Sequence, residues 1–120
     1  MIIKSQRIKR ALLTALADEE MLKIMNCVID HSKPFNDIIA ENSSISRTTA
    51  FRKIKWLLKE GLIIVDKIVL SQDGKKFSLY HSTLKAINAK YEVNDVSVCA
   101  EAEPNFDIAK KWVEKFFSLD

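Results

Sequence analysis

Two glycines, two prolines and two cysteines are all that the 120 residues hold of these types, and each scarcity excludes a class of protein. Gly61 and Gly74 cannot form a glycine-rich loop that cradles phosphates. So little glycine and proline also excludes long flexible linkers. Cys27 and Cys99 are too few for a disulfide framework and suit a reducing interior. No apolar run approaches the roughly 20 residues that a membrane helix needs. The opening Met1-Ile2-Ile3-Lys4 leads into charge rather than a signal-type apolar stretch, so a cytoplasmic protein without membrane contact is expected. No serine, histidine and carboxylate grouping has a recognisable catalytic spacing. The chain does not read as an enzyme, and no cofactor is expected.

What remains is a globular composition, 48% apolar and 29% charged, within the range of folded rather than disordered chains. The length suits one domain, 1–120. The net charge of +3 says little; its distribution says more. Lys4, Arg7, Lys9 and Arg10 precede the first acid, Asp18. Arg47, Arg52, Lys53, Lys55 and Lys59 load a second stretch, opposed only by Glu60. From Tyr91 to Asp107 the sign reverses, with Glu92, Asp95, Glu101, Glu103 and Asp107 and no base between them. Such polarisation allows a cationic face on a nearly balanced protein.

Hydrophobic spacing then orders the chain. Residues 5–17 read as a helix with Ile8, Leu12 and Leu16 on one stripe. Asp18 reads as the cap of a second helix, with Glu19 and Glu20 in its first turn, and 31–34 stops it. Asn36 is expected to cap a short third helix. A polar turn, Asn42-Ser43-Ser44, leads to Ser46, the cap of a longer helix with Ala50, Ile54, Leu57 and Leu58 inward, ended by Gly61. Residues 62–70 and 77–80 read as strands joined by a turn containing Asp73-Gly74. Beyond them, alternation over 87–93 and 96–101 predicts a further β-hairpin, although Leu84, Ile87 and Tyr91 also fit one face of a helix. Ala109, Trp112, Val113, Phe116 and Phe117 predict a C-terminal helix over 105–118.

Helix, short helix, tight turn, cationic helix and hairpin is the order of a winged helix-turn-helix, an α+β fold. With Ala50, Ile54, Leu57 and Leu58 inward, Arg47, Thr48, Phe51, Arg52 and Lys55 point outward. Arginines seek phosphates, hydroxyls bond phosphates or base edges, and an aromatic ring touches a thymine methyl. Thr49 either bonds phosphate or supports the helix start, and Phe51 either faces DNA or packs on the hairpin or the first helix of the helix-turn-helix pair. Lys75 and Lys76, at or beside the hairpin tip, either rest against backbone phosphates or are ordinary turn lysines, with Asp73 opposing close approach.

Four stretches carry a family likeness. Ala15-Leu16-Ala17-Asp18, continuing to Met25, resembles the opening of the ArsR-type winged helix-turn-helix repressors. Ile45-Ser46-Arg47-Thr48-Thr49-Ala50-Phe51-Arg52-Lys53-Ile54 is similar to their recognition helix, and Leu57 to Ile63 and Asp73 to Tyr80 to their wing. The likeness covers residues 12–82; the remainder resembles the small archaeal winged-helix type. It implies a homodimer on a roughly palindromic operator of double-stranded DNA; the apolar faces of the N-terminal helix, of the C-terminal helix or of both are the expected seam, unless they pack across their own domain. It also raises metal sensing, but Lys33-Pro34-Phe35-Asn36 stands where the family has its thiolate pair, and Ser44 replaces a common glycine. Cys27 and His31, read as four apart on one helix, are too few for zinc, so no metal is expected.

The expected function is therefore a sequence-specific, homodimeric transcriptional regulator. Arg47, Thr48, Phe51 and Arg52 would address base edges and nearby phosphates, and Thr49, Lys55, Lys75 and Lys76 would position the backbone. The alternative is a winged-helix protein-interaction module of a transcription complex that does not read DNA.

Overall fold

The computed structural model describes residues 2–92 and 95–105. Ser5 opens α1 (Gln6–Leu16) by accepting a hydrogen bond from the Ile8 amide, which satisfies one of the unpaired donors of a first helical turn. Ile8, Ala11, Leu12 and Ala15 recur at helical spacing and are all buried. They face α2 and the start of a later strand. Packing across its own domain therefore accounts for the apolar stripe of this helix, one of the two expected seam helices. Asp18 caps α2 (Glu19–Cys27) through a 3.0 Å bond from the Met21 amide.

The next segment departs from expectation. α2 ends at Cys27, and Lys33–Pro34 forms a short strand, β1, followed at once by α3 (Phe35–Glu41). Asn36 lies inside α3 instead of capping it; Pro34 holds the cap position in extended geometry, without a side-chain bond. Proline's fixed φ suits that entry, and its missing N–H leaves no donor unsatisfied. β1 exists because Lys33 and Pro34 pair with Tyr80 and Leu79, far along the chain.

Asn42 turns the chain by donating from its side chain to the Ile38 carbonyl, and buried Ile45 fills the corner. α4 (Arg47–Glu60) starts on Ser46, whose hydroxyl accepts from the Thr49 amide. Gly61 ends it at φ 79°, a left-handed geometry that glycine adopts without steric cost. Gly61 and Leu62 then donate back to Leu58 and Leu57, closing the last carbonyls.

β2 (Ile63–Leu70) and β3 (Lys76–Ser82) form an antiparallel hairpin with a bulge at Asp66, and β1 adds to β3, giving the order β1-β3-β2. Gly74, at φ 83°, makes the connecting turn. β4 (Leu84–Glu92) and β5 (Asp95–Pro104) form a second, two-stranded sheet. Ala100 and Ala102 are buried while Cys99, Glu101 and Glu103 are exposed, the period of two read from the sequence. The strand reading of this region holds over the helical one. The helix expected over 105–118 lies, Asn105 apart, outside the described residues. The described chain is thus α+β, with four helices and two small antiparallel sheets.

Two polar side chains fasten the sheets to the helices. The Thr83 hydroxyl donates to the carbonyls of Gly61 and Leu62, tying the β3–β4 junction to the end of α4. Buried Asn105 donates from its side chain to the carbonyls of Ile29 and Ser82.

The core joins Leu12, Ile24, Val28, Ile38, Leu57, Leu62 and Ile63, all fully buried. Complete burial of such a side chain contributes roughly 1.5–3 kcal/mol. One inward residue of α4 is not apolar. Lys53, read from the sequence as part of the cationic stretch, is 8% exposed. Its ammonium donates to both Asp18 oxygens, at 2.9 and 2.7 Å, and to Glu20 at 2.8 Å. Its stem is buried on the inward side of α4 with Ala50, Ile54 and Leu57, and its head meets the acidic start of α2, as a long side chain with an apolar stem and a charged tip allows.

This cluster sets a pH dependence. Burial alone would raise the Asp18 carboxyl, but hydrogen bonds from Lys53 and the Met21 amide outweigh it and hold the group below its ordinary 3.8. Hydrogen bonds to Asp18 and Glu20 hold Lys53 above its ordinary 10.5. A depressed carboxyl stabilises the fold above its unfolded value and loses that contribution as pH falls through the folded value. A raised ammonium stabilises below its unfolded value and loses that contribution as pH rises through the folded one. Urea unfolding should therefore show stability declining below about pH 3.8 and above about pH 10.5. Lys53→Ala should flatten both limbs and lower the plateau by roughly 2–3 kcal/mol, because it leaves two partly buried carboxylates without their cation.

Candidate nucleic-acid interface

Once Ala50, Lys53, Ile54 and Leu57 face inward, helical geometry leaves Arg47, Thr48, Phe51, Arg52 and Lys55 on the outside, and all five are exposed. This matches the expected outward set. The only carboxylate of α4 is Glu60, in its last turn, where it meets Arg7 at 3.7 Å. The first three turns of α4 therefore present bases and hydroxyls without an acid of their own.

Contacts distinguish the individual side chains. Thr49 is half-buried and its hydroxyl accepts from Ser46, so its contacts are those of a helix-start support. Arg47 bonds the Asn36 side-chain oxygen at 3.1 Å, and its guanidinium lies 4.9 Å from the Phe35 ring centre. The Lys55 ammonium lies 5.0 Å from the Phe51 ring centre. Phe51 is 52% exposed and meets Phe35 edge-on, with centroids 5.9 Å apart and planes at 89°. Its partner is thus on α3, the short helix before the turn, which is one of the packing alternatives read from the sequence. Arg52 and Thr48 make no polar side-chain contact among the described residues.

These groups border a groove of about 610 Å³ lined by Phe35, Arg47, Thr48, Phe51, Ile54, Lys55, Leu58 and Tyr80. Phe35 and Tyr80 were missed from sequence. Their approach depends on the β1–β3 pairing, which sets Lys33 opposite Tyr80. A two-residue strand has no periodic signature, so no local signal announces it.

At the hairpin tip Lys75 and Lys76 are exposed. Lys75 lies 4.0 Å from the Asp73 carboxylate, so part of its charge is offset there. The Ser71 hydroxyl donates to Asp73 and holds that carboxyl below its ordinary range, keeping it charged. The hairpin carries a second feature that sequence reading missed. Val65, Ile68 and Leu70 pair with Tyr80, Ser78 and Lys76 and so share one face. They are 38%, 64% and 67% exposed.

Elsewhere, His31 lies beyond the end of α2, so Cys27 and His31 do not share a helix. Cys27 is half-buried and its thiol donates to Glu41, which also pairs with Lys33 at 2.8 Å. Burial, then the Glu41 contact, pushes that thiol above its ordinary value. Among the described residues no group of three His, Cys, Asp or Glu side chains is placed to hold a metal. No described helix is long and apolar enough to cross a membrane. In comparisons with protein-family models, curated proteins and solved structures, nothing matches this chain.

Two substitutions should separate framework from surface on α4. Ser46→Ala removes the cap and the support of Thr49, and should cost about 1 kcal/mol in urea unfolding. Phe51→Ala loses an exposed edge-on ring contact and should cost about 0.5–1.5 kcal/mol while leaving helix content by circular dichroism unchanged.

Proposed function

We propose that the chain is a winged helix-turn-helix protein that binds double-stranded DNA as a homodimer and regulates transcription. The order α2, β1, α3, α4, β2, β3, with sheet order β1-β3-β2, supports this reading of the fold. In it α3 and α4 are the helix-turn-helix and β2–β3 is the wing. The observation that carries the function is the outer face of α4, where Arg47, Arg52, Lys55 and Thr48 stand exposed without an acid before Glu60. Such a face suits the major groove, in which cations meet phosphates and arginine addresses guanine edges.

Arg47, Thr48, Phe51 and Arg52 face bases and nearby phosphates in this reading, while Lys55, Lys75 and Lys76 position the backbone. Thr49 contributes by fixing the helix start. The resemblance to ArsR-type regulators supports a palindromic operator and a two-fold protein. Because α1 buries its apolar stripe within the chain, the seam is expected on other surfaces. Ile2 and Tyr91, 61% and 70% exposed on the β4–β5 side, are candidates for it.

One observation favours a second reading, that of a protein-interaction module. The wing exposes Val65, Ile68 and Leu70, and apolar side chains do not attract phosphates. Selection from a random duplex pool separates the two. The DNA reading expects a palindromic motif and an affinity that falls steeply with salt. Arg52→Ala should then weaken binding about 10-fold, with the unfolding midpoint unchanged. Equal affinity for this variant would remove Arg52 from the interface. Indifference to every duplex would leave the interaction module.

A further inference from the structure

We infer that the groove between α4, Phe35 and Tyr80 is a binding site for a small organic monoanion with an aromatic or aliphatic body, and that this ligand and DNA exclude one another. The second half rests on the DNA-binding reading; the first does not.

Size, lining and charge all point to this chemistry. A volume of about 610 Å³ lies within the range of small-molecule sites. Three separate elements, α3, α4 and β3, supply the walls, and Phe35, Phe51, Ile54, Leu58 and Tyr80 make them largely apolar. Among the lining residues the charged groups are Arg47 and Lys55, and none is a carboxylate. Both cations already lie against rings, Arg47 on Phe35 and Lys55 on Phe51, so they are held at the wall with donors still available.

An anion entering the groove gains two charge-assisted contacts while its body covers exposed ring surface. A cation would meet like charge, and a neutral apolar molecule would offer neither cation an acceptor. Inorganic phosphate would leave the rings uncovered. A mononucleotide has the charge and a flat body, but its base edges need several hydrogen-bond partners, and Thr48 and Tyr80 are the only neutral polar side chains in the lining. The chemistry left is a carboxylate or sulfonate on an apolar frame.

Exclusion follows from shared residues. Arg47, Thr48, Phe51 and Lys55 line the groove and also form most of the proposed DNA face. An anion that occupies both cations removes their charge from the duplex phosphates. Linkage then requires DNA to weaken the ligand by the same factor.

The test uses the full chain with 1-anilinonaphthalene-8-sulfonate, whose fluorescence rises in an apolar site, and its uncharged counterpart N-phenyl-1-naphthylamine. The sulfonate should bind saturably at one site and at least 5-fold more tightly than the uncharged dye. Phe51→Ala, and Arg47→Gln with Lys55→Gln, should each weaken it at least 5-fold, with circular dichroism confirming the fold. The double variant should also abolish the preference for charge. Ile68→Ser with Leu70→Ser should leave binding unchanged, and thymidine monophosphate should compete poorly. Binding that ignores Phe51 or the two cations, or that is lost with the wing residues, overturns the site, as does stronger binding of the nucleotide. On a duplex that the unliganded chain binds, saturating sulfonate should weaken DNA affinity at least 5-fold; an unchanged affinity overturns the exclusion. Failure of the unliganded chain to bind any duplex would sink the DNA reading and with it the exclusion, while sulfonate binding would still decide the site.

Discussion

A single ammonium group held by two carboxylates orients α4. Lys53 reaches from the buried side of that helix to Asp18 and Glu20 at the start of α2. Asp18 serves twice, capping α2 and accepting from Lys53. Apolar contacts at Ala50, Ile54 and Leu57 supply attraction but little direction, whereas three short hydrogen bonds accept few alternatives. Successive residues of a helix point about 100° apart, so a slip of one residue would turn Phe51, Arg52 and Lys55 off their common face. The net contribution of a buried ion pair over an apolar substitute is modest. Its effect here is on which face of α4 meets solvent.

The outward face gains order from a second set of contacts. Asn36 and Phe35 hold Arg47 over α3, and Phe51 stands against Phe35 beneath Lys55. Charge and apolar surface are thus interleaved within one groove rather than separated. That mixture favours ligands that are themselves mixed, whether a duplex with phosphates and thymine methyl groups or a small anion with an apolar body. The β2–β3 hairpin is less evenly divided. Its tip has two lysines and one acid, and its flank exposes Val65, Ile68 and Leu70.

Much of this was legible because the signals are local. Asp18 and Ser46 cap their helices as read, since a side-chain oxygen three residues ahead of an amide is sufficient for a cap. Gly61 and Gly74 take the left-handed geometry that a helix end and a tight turn require. Alternation over 87–93 and 96–101 pointed to strands, and pairing of β4 with β5 decided against the helix that Leu84, Ile87 and Tyr91 also fit. The errors share a different origin. Asn36 looked like a cap by composition, yet Pro34 took the position because pairing with β3 fixed the preceding residues. Lys53 looked like one more surface cation, and only the approach of α2 drew it inward.

The order of helices and hairpin, the caps at Asp18 and Ser46, and the outward identity of Arg47, Thr48, Phe51, Arg52 and Lys55 follow from residue spacing alone, because each depends on neighbours within one or two turns. The β1 strand, the burial of Lys53, the Phe35–Phe51 contact and the groove with Tyr80 belong to tertiary structure. Each joins residues far apart in the chain, and such meetings carry no periodic trace. They are decided by how the helices and the sheet pack together.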